Sequence, residues 1–192
     1  MTRDFTVDPV DRSVIEQCLE LATWSPSAGK SQGWHVVGLL GDETSLYWDA
    51  ALPAEKREGF AFPGLLRAPF VGVFAADPDA YVTRYAEPDK AHTGLGASAD
   101  AWPTPYWTVD ASMAAMTFLL AVEDAGLGAL FFAVANEDEV RRVLGLPGDL
   151  VVLGAVAVGH QADQSRKGRS AARPRRTASE TVRWGGWQRA GS

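Results

Sequence analysis

A long uncharged segment in the second half of the chain most constrains what this protein can fold into. Residues 109–125 read as a helix that is apolar on nearly all sides, and residues 111–122 within it carry no charge. That uncharged stretch is well short of the ~20 residues needed to cross a bilayer. We therefore predict a helix that is buried in a globular protein or in a subunit interface.

Shorter apolar segments on either side of this helix predict further helices and strands. Helical spacing indicates a helix over residues 11–24, and residues 43–52 are a second candidate. The segments predicted as strands are Trp34–Leu40 and residues 69–76, 129–134 and 150–158. The last of these is continuously apolar, so it should be central in the sheet. Taken alone, this alternation predicts a doubly wound α/β three-layer sandwich without giving the strand order.

Length and composition favour a single domain with two appended segments. The chain has 192 residues, 46% hydrophobic and 22% charged, a balance typical of a folded globule. Within one domain, residues 1–192, we expect a loop or lid insertion at 77–107 and an extended C-terminal arm at 160–192. The N-terminus has no apolar signal region, and the one cysteine, Cys18, should fill the core beneath the first helix. These features predict a cytoplasmic protein without disulfides.

Charge is unevenly distributed along the chain, and this limits the expected partners. The net charge is −6, yet six basic residues and no acidic ones lie between Arg166 and Arg176. The remaining 12 basic and 24 acidic residues give the rest of the chain a charge of −12. An acidic body repels nucleic acid and anionic membranes, so we expect neither as a partner. The basic segment is either a solvated tail or an arm that binds phosphate.

Several short motifs stand in the wrong context for the chemistry they suggest. Residues 29–33 match the G-x-S-x-G motif of serine hydrolases, but a helix precedes them and a strand follows, the reverse of the required order. The same residues contain the Gly-Lys-Ser tail of a P-loop, with Trp24 where its first glycine should stand. His35, His92 and His160 have no paired spacing, so we expect no metal site.

Four segments, taken in their order along the chain, resemble those of a known family. The first is Arg3-Asp-Phe5 with Pro9, and the second is Ser25-Pro-Ser-Ala-Gly-Lys-Ser-Gln32 followed by Trp34. The third is Asp110 with the apolar helix leading into Gly126-Leu-Gly128, and the fourth is Arg173-Pro-Arg-Arg-Thr177 with Val182 and Trp184. In this order and spacing the chain is similar to the FMN-dependent nitroreductase family over nearly its whole length, and least similar at 77–107.

This resemblance implies a fold, an assembly and an activity. The implied fold is α+β, with a mixed and mostly antiparallel sheet flanked by helices, in an intertwined homodimer that has two FMN sites at its interface. The implied activity is that of a ping-pong oxidoreductase. NADH or NADPH delivers hydride to the flavin, and a small electron-poor acceptor, such as a nitroaromatic or a quinone, then takes the reducing equivalents. Because the flavin carries this chemistry, we name no catalytic side chain.

By the same resemblance, residues from several parts of the chain bind the cofactor. Small residues in the loop after the first helix let the backbone approach the flavin edges, and the turn after the apolar helix can present an N–H to flavin N5. A cation at Arg3 would stabilise the reduced flavin near N1 and O2, and guanidinium groups suit the FMN phosphate. The cofactor-binding candidates are Arg3, Pro26, Ser27, Ala28, Lys30, Gln32, Gly126, Leu127, Gly128, Arg175 and Arg176.

Some of these residues also have simpler structural explanations. Ser27 could only cap a turn, and Gly126 could only end a helix. The substrate-binding candidates are Trp102, Tyr106 and Trp107. As flat apolar rings, they would form a wall or lid over the exposed flavin face. The alternative is that they anchor their loop to the core.

Two other functions stay open at the level of sequence. One is a specialised relative, either a dehydrogenase acting on natural-product substrates or a flavin-fragmenting enzyme. The other is a flavin-binding protein without turnover. Lys30 stands where the family has an asparagine, which removes a hydrogen-bond acceptor and adds a positive charge beside the expected flavin. This departure leaves the identity of the substrate open.

Overall fold

The computed structural model describes residues 1–163 and 169–187, which form six helices and four strands. The helices are α1 (Arg12–Ala22), α2 (Thr44–Ala51), α3 (Pro78–Ala86), α4 (Tyr106–Asp124), α5 (Glu137–Leu144) and α6 (Ala178–Thr181). The strands are β1 (Trp34–Leu40), β2 (Phe70–Ala76), β3 (Gly128–Phe132) and β4 (Val151–Gly159). Of the basic segment, Arg166 and Lys167 lie outside the described residues.

The four strands form one sheet in the order β1-β2-β4-β3, and every neighbouring pair is antiparallel. This arrangement confirms that β4 is central and confirms the α+β fold that the family resemblance implied. The doubly wound sheet predicted from the alternation of helices and strands is wrong. Hydrophobic periodicity reports which face of a strand is buried, but it carries no information about the direction of the neighbouring strand.

Helices cover both faces of this sheet. Along β2, Val71 and Val73 face a core that is shared with α2 and α5, whereas Phe70 and Phe74 face a second core shared with α1 and α4. The split follows from strand geometry, because successive side chains point to opposite faces. Cys18 lies in the second core as predicted, and burial raises the pKa of its thiol.

The central helix α4 begins three residues earlier than predicted and has two contrasting sides. Its inner side is buried against the sheet, with Phe118 and Val122 fully inaccessible. Its outer side carries an exposed apolar stripe at helical spacing, formed by Tyr106, Met113, Met116 and Leu120. Within residues 1–163 and 169–187, no helix is long and apolar enough to span a membrane.

The segment 77–107 is more ordered than we predicted. It contains helix α3, and Asp77 is the N-cap residue of this helix. The Asp77 carboxylate accepts hydrogen bonds from the backbone N–H groups of Asp79 and Ala80. The prediction of one long irregular loop is therefore wrong for residues 78–86. An Asp-Pro pair is a standard helix start, since the aspartate caps the helix and the proline fits its first turn.

Candidate functional site

The loop at residues 26–32, between α1 and β1, has an unusual backbone conformation. Gly29, Lys30 and Gln32 all have positive φ angles of 61°, 58° and 51°. Residues other than glycine seldom adopt this left-handed region, because Cβ then approaches the following carbonyl oxygen. Two strained residues in one short loop must therefore be held by the structure around it, as is common where backbone shape serves a function.

The strongest anchor of this loop is the buried carboxylate of Asp110, near the start of α4. Its Oδ2 accepts a hydrogen bond of 2.7 Å from the backbone N–H of Ala28 and one of 2.8 Å from the hydroxyl of Tyr81. Asp110 is only 4% exposed. Burial raises the pKa of Tyr81, and its hydrogen bond to Asp110 raises it further. Tyr81 therefore remains a neutral donor throughout the physiological pH range.

Further hydrogen bonds hold the loop from within and from α3. The Ser27 hydroxyl accepts from the backbone N–H of Gln32 at 2.8 Å, so Ser27 does cap a turn. Arg84 Nε donates to the carbonyl oxygen of Gly29 at 2.8 Å. The two terminal nitrogens of Arg84 donate to the two carboxylate oxygens of Asp89, and this guanidinium lowers the pKa of Asp89 to about 2.

Five aromatic rings pack beneath the loop and include all three substrate-binding candidates. They are Tyr81, Tyr85, Trp102, Tyr106 and Trp107, which contact one another at ring-centroid distances of 4.6 to 6.2 Å. The Tyr85 ring also lies against Gly29 of the loop. It is so close that a Cβ added at Gly29 would be 2.8 Å from the Tyr85 ring. Trp102 and Trp107 are buried, whereas Tyr106 is 44% exposed. Burial of the two tryptophans favours the anchoring alternative for them and leaves Tyr106 as the accessible candidate.

Arg3 lies at the other end of α4, beside the Gly126–Gly128 turn. The backbone N–H of Thr2 donates to the carbonyl oxygen of Ala129 at 2.8 Å, and the Thr2 side chain fills the space where Gly128 lacks a Cβ. The guanidinium of Arg3 stacks over the ring of Phe62 at 5.6 Å. It lines a groove of about 230 Å³ together with the ion pair of Asp4 and Arg67. The structure thus places the 126–128 turn beside Thr2, the residue that precedes Arg3.

The role predicted for the amides of this turn needs correction. Gly126 has φ +77°, and its N–H donates to the carbonyl oxygen of Glu123 at 3.0 Å. The N–H of Leu127 donates to the carbonyl oxygen of Val122, also at 3.0 Å. Both amides therefore close the C-terminus of α4 and are not free to donate to a flavin N5. Gly128 is the first residue of β3, where it pairs with Gly159 of β4.

The C-terminal arm leaves the body close to Thr2, and its residues 171–187 are exposed. The Thr2 hydroxyl donates to Gln161 Oε1 at 2.9 Å, where β4 has just ended. Residues 171–187 are exposed throughout, and Trp184 and Trp187 are 90% and 77% exposed. Arg175 and Arg176 share this exposure, with Arg176 donating to the carbonyl oxygen of Glu180. Both arginines are therefore accessible to solvent in the single chain.

Two groups of residues therefore lie at opposite ends of α4. We call the 26–32 loop, Asp110 and the five aromatic rings the front half-site. We call Arg3, the 126–128 turn and the arm the rear half-site. An α-helix advances about 1.5 Å per residue, so Asp110 and Asp124 are about 21 Å apart along the axis. The two half-sites are therefore separated by most of the length of α4.

The sequence analysis named candidate residues on the loop and in the aromatic cluster, but it missed the residues that hold the loop. Asp110 entered only as part of a helix that resembled the family, and Tyr81 and Arg84 were not singled out for the site. The sequence does contain a signal for Asp110, because this acidic residue stands directly before the uncharged apolar residues 111–122. A carboxylate in such a position is costly to bury unless it is hydrogen-bonded.

Comparisons with known proteins agree on one family. The family model described as "Nitroreductase family" matches residues 1–160. An Archaeoglobus fulgidus protein, provisionally named an NADH dehydrogenase/NAD(P)H nitroreductase, is 28% identical over 155 residues, which cover 78% of this chain and 74% of that protein. The 5,6-dimethylbenzimidazole synthase of Rhodospirillum rubrum is 27% identical over 172 residues, covering 82% and 75%. A provisionally named nitroreductase of Exiguobacterium sibiricum, solved in complex with FMN, shares the fold with a TM-score of 0.72 at 16% identity, covering 95% and 91%.

Proposed function

The chain belongs to the nitroreductase family, and from this premise we propose that it is an FMN-dependent oxidoreductase that works as a homodimer. Each FMN site would combine the front half-site of one chain with the rear half-site of its partner. The observation that carries the proposal is the separation of the two half-sites by the length of α4. A two-fold axis perpendicular to α4 would place the start of one α4 beside the end of the partner's α4. Both sites would then be completed at once.

The exposed stripe of α4 supports this assembly. Met113, Met116 and Leu120 are each between 42% and 59% exposed, although the opposite side of the same helix is fully buried. Apolar side chains aligned along one helix face mark a surface that another protein covers. A second copy of α4 would cover them, and each half-site would then face the opposite end of the partner helix.

The charged residues of the rear half-site fit the anionic parts of FMN. Arg3 would lie near the pyrimidine edge of the flavin, where negative charge develops on reduction, and its stacking on Phe62 fixes its position. Arg175 and Arg176 sit on an exposed arm that leaves the body near Thr2, and their planar guanidinium groups match a phosphate. When bound, FMN would supply the hydride chemistry.

The front half-site would shape the other face of the cofactor pocket. Pro26, Lys30 and Gln32 are the exposed members of the loop, whereas Ser27 and Ala28 are partly buried. Tyr106, the exposed ring of the aromatic cluster, would contact the substrate. We propose NADH or NADPH as electron donor and a small nitroaromatic or quinone as acceptor. The name of the Archaeoglobus relative supports a nicotinamide donor.

A second candidate is a flavin enzyme that needs no nicotinamide. It is favoured by the similarity to the Rhodospirillum rubrum protein, whose name describes synthesis of dimethylbenzimidazole. Lys30, with its exposed ammonium in the loop, would place positive charge beside the flavin in either enzyme. A flavin-binding protein without turnover is the remaining alternative from the sequence.

One set of measurements separates these possibilities. Purified protein is titrated with FMN and followed by absorbance, and NADH and NADPH oxidation is then recorded with and without a nitroaromatic or a quinone. The proposal expects a coloured protein and steady oxidation that depends on the acceptor. Oxygen consumption without nicotinamide would favour the second candidate, and bound flavin without any turnover would favour a binding protein. A colourless protein that takes up no FMN would contradict all three.

A further inference from the structure

Asp110 is out of place for a residue with only a packing role. Apart from Thr2, it is the only polar or charged residue among the buried ones in the part of the chain that the structure describes, tyrosine and tryptophan aside. No basic side chain within residues 1–163 and 169–187 forms an ion pair with it. A buried carboxylate without a cation must be compensated by hydrogen bonds, and here both bonds reach a single oxygen.

These two hydrogen bonds connect parts of the chain that are far apart in sequence. Ala28 belongs to the 26–32 loop, and Tyr81 belongs to α3, so Asp110 ties the loop to α3 through α4. The Tyr81 ring also packs against Trp102 and Trp107 at centroid distances of 5.8 and 6.2 Å. The carboxylate is therefore the point at which the loop and the aromatic cluster are joined.

The bond to Ala28 acts on the strained part of the loop. Ala28 directly precedes Gly29 and Lys30, which both have positive φ. Left-handed conformation is unfavourable for a lysine, so an unrestrained loop would relax to other conformers. Arg84 donates a hydrogen bond to the carbonyl oxygen of Gly29. The backbone of the loop is thus held by an acceptor, Asp110, at Ala28 and by a donor, Arg84, at Gly29.

We propose that Asp110, supported by Tyr81, is a positioning residue that fixes the 26–32 loop in the conformation that meets the flavin of the partner chain. Neither residue touches the flavin, and both act through the backbone of the loop. The inference rests on the proposed function, since it takes the flavin to be the ligand of this loop. It assigns the buried carboxylate and the Tyr81 hydroxyl a task that packing alone does not require.

The test uses two variants that remove different parts of the network. Asp110→Asn removes the charge while keeping the size, and Tyr81→Phe removes only the hydroxyl while keeping the ring in its cluster. Asp124→Asn, on the same helix but exposed, and Tyr47→Phe, at a buried tyrosine in the core on the other face of the sheet, are the matched controls. Tyr81→Phe keeps the test valid if Asp110→Asn does not fold.

Two readouts are taken on each purified protein. Hydrogen exchange of residues 26–32 is measured without flavin and should accelerate in both variants but in neither control. FMN affinity should fall about tenfold in Asp110→Asn, as expected from one weakened hydrogen bond to a charged group, and several-fold in Tyr81→Phe. The double variant should lose less than the product of the two single losses, because both act through one oxygen.

The possible outcomes separate this inference from the proposed function. Unchanged loop exchange in both variants would overturn the positioning role even if the wild-type protein binds FMN tightly. Faster exchange with unchanged FMN affinity and an unchanged visible flavin spectrum would also overturn it, since a loop held for packing alone behaves this way. A wild-type protein that binds no FMN would overturn the proposed function, and this inference with it.

Discussion

The two ends of α4 differ in how completely a single chain builds them. At the front end, Asp110 is buried and hydrogen-bonded, and the loop above it is fixed by side chains from α3 and α4. At the rear end, Thr2 is the buried polar residue, but the arm that begins beside it is exposed along residues 171–187. Buried side-chain contacts thus fix the front half-site within a single chain, whereas residues 171–187 of the arm are exposed.

This difference suggests that the two half-sites contribute to flavin binding in different ways. A preformed loop costs little entropy on binding, so it can define the shape of the pocket. An exposed basic arm must lose conformational freedom when it closes, so its contribution to affinity depends on the strength of its contacts to phosphate. Substitutions in each half-site, and in the α4 surface between them, test this difference. The largest effect is expected at that surface and the smallest at Tyr106.

The largest effect is expected at the surface that joins the two half-sites. Leu120→Asp places a charge on the exposed stripe of α4, and two-fold symmetry makes each substitution count twice. Lost apolar burial of about 2 kcal/mol per copy would weaken the dimer ~1,000-fold. Sedimentation velocity at micromolar concentration should show a monomer. Leu46→Asp, at a similarly exposed leucine of α2 on the other face of the sheet, is the control and should remain dimeric.

The next effect is expected at the basic arm. Replacing both Arg175 and Arg176 by Ala should weaken FMN about 100-fold or more, because each charge-assisted hydrogen bond to phosphate contributes ~1.5–3 kcal/mol. Riboflavin lacks the phosphate and should bind the double variant and the wild type similarly. Flavin titration at fixed ionic strength measures both ligands, with exposed Arg142→Ala as the control. Equal losses for the two flavins would remove these arginines from the site.

Matched glycine substitutions compare how rigid the two ends are. A Cβ at Gly33, behind the front loop, would lie 2.8 Å from Ala80 Cβ and 2.9 Å from the carbonyl oxygen of Asp77. A Cβ at Gly128 would instead lie 2.5 Å from the hydroxyl oxygen of Thr2, and a side chain can rotate away more easily than backbone can move. Overpacking costs about 1–3 kcal/mol, and we expect Gly33→Ala near the top of that range and Gly128→Ala near the bottom. Urea unfolding measures both, and equal costs would contradict the proposed difference in rigidity.

The smallest effect concerns the exposed ring of the front half-site. Tyr106→Ala should raise the KM for the electron acceptor several-fold with little change in stability, because the ring is partly exposed and flat. Tyr106→Phe keeps the ring and should restore the KM. Steady-state kinetics with a nitroaromatic and a quinone provide the measurement. If neither KM changes, Tyr106 does not contact the acceptor.

The sequence predicts elements well where local periodicity is strong. All four strands and the central helix were found within a few residues, because apolar spacing reports burial directly. Helix α3 was missed, since its short apolar pattern is weak and its start depends on the cap at Asp77. Strand direction was wrong from pattern alone and correct from the family resemblance, which carries topology that periodicity lacks.

The candidate site shows a similar limit. The 26–32 loop, Arg3 and the 126–128 turn were named from resemblance, and the structure places the turn against Thr2, next to Arg3 in the chain. The network that holds the loop was not predicted, because Ala28 and Asp110 are 82 positions apart and meet only after folding. The alternative in which Gly126 ends a helix is borne out by its hydrogen bond to Glu123, whereas the similar use of the Leu127 amide was not predicted, since it depends on backbone geometry.

The central claim is that each flavin site takes one half from each chain, and a mixed dimer tests it most directly. One chain carries Asp110→Asn and the other carries Arg175→Ala with Arg176→Ala, and differently tagged copies allow the heterodimer to be purified. Homodimers of either variant should bind FMN weakly. In the heterodimer, both defects fall into one site and leave the other intact, so the account predicts one tightly bound FMN per dimer. If each site lay within one chain, every site would carry a defect, and a heterodimer with no tightly bound FMN would contradict the account.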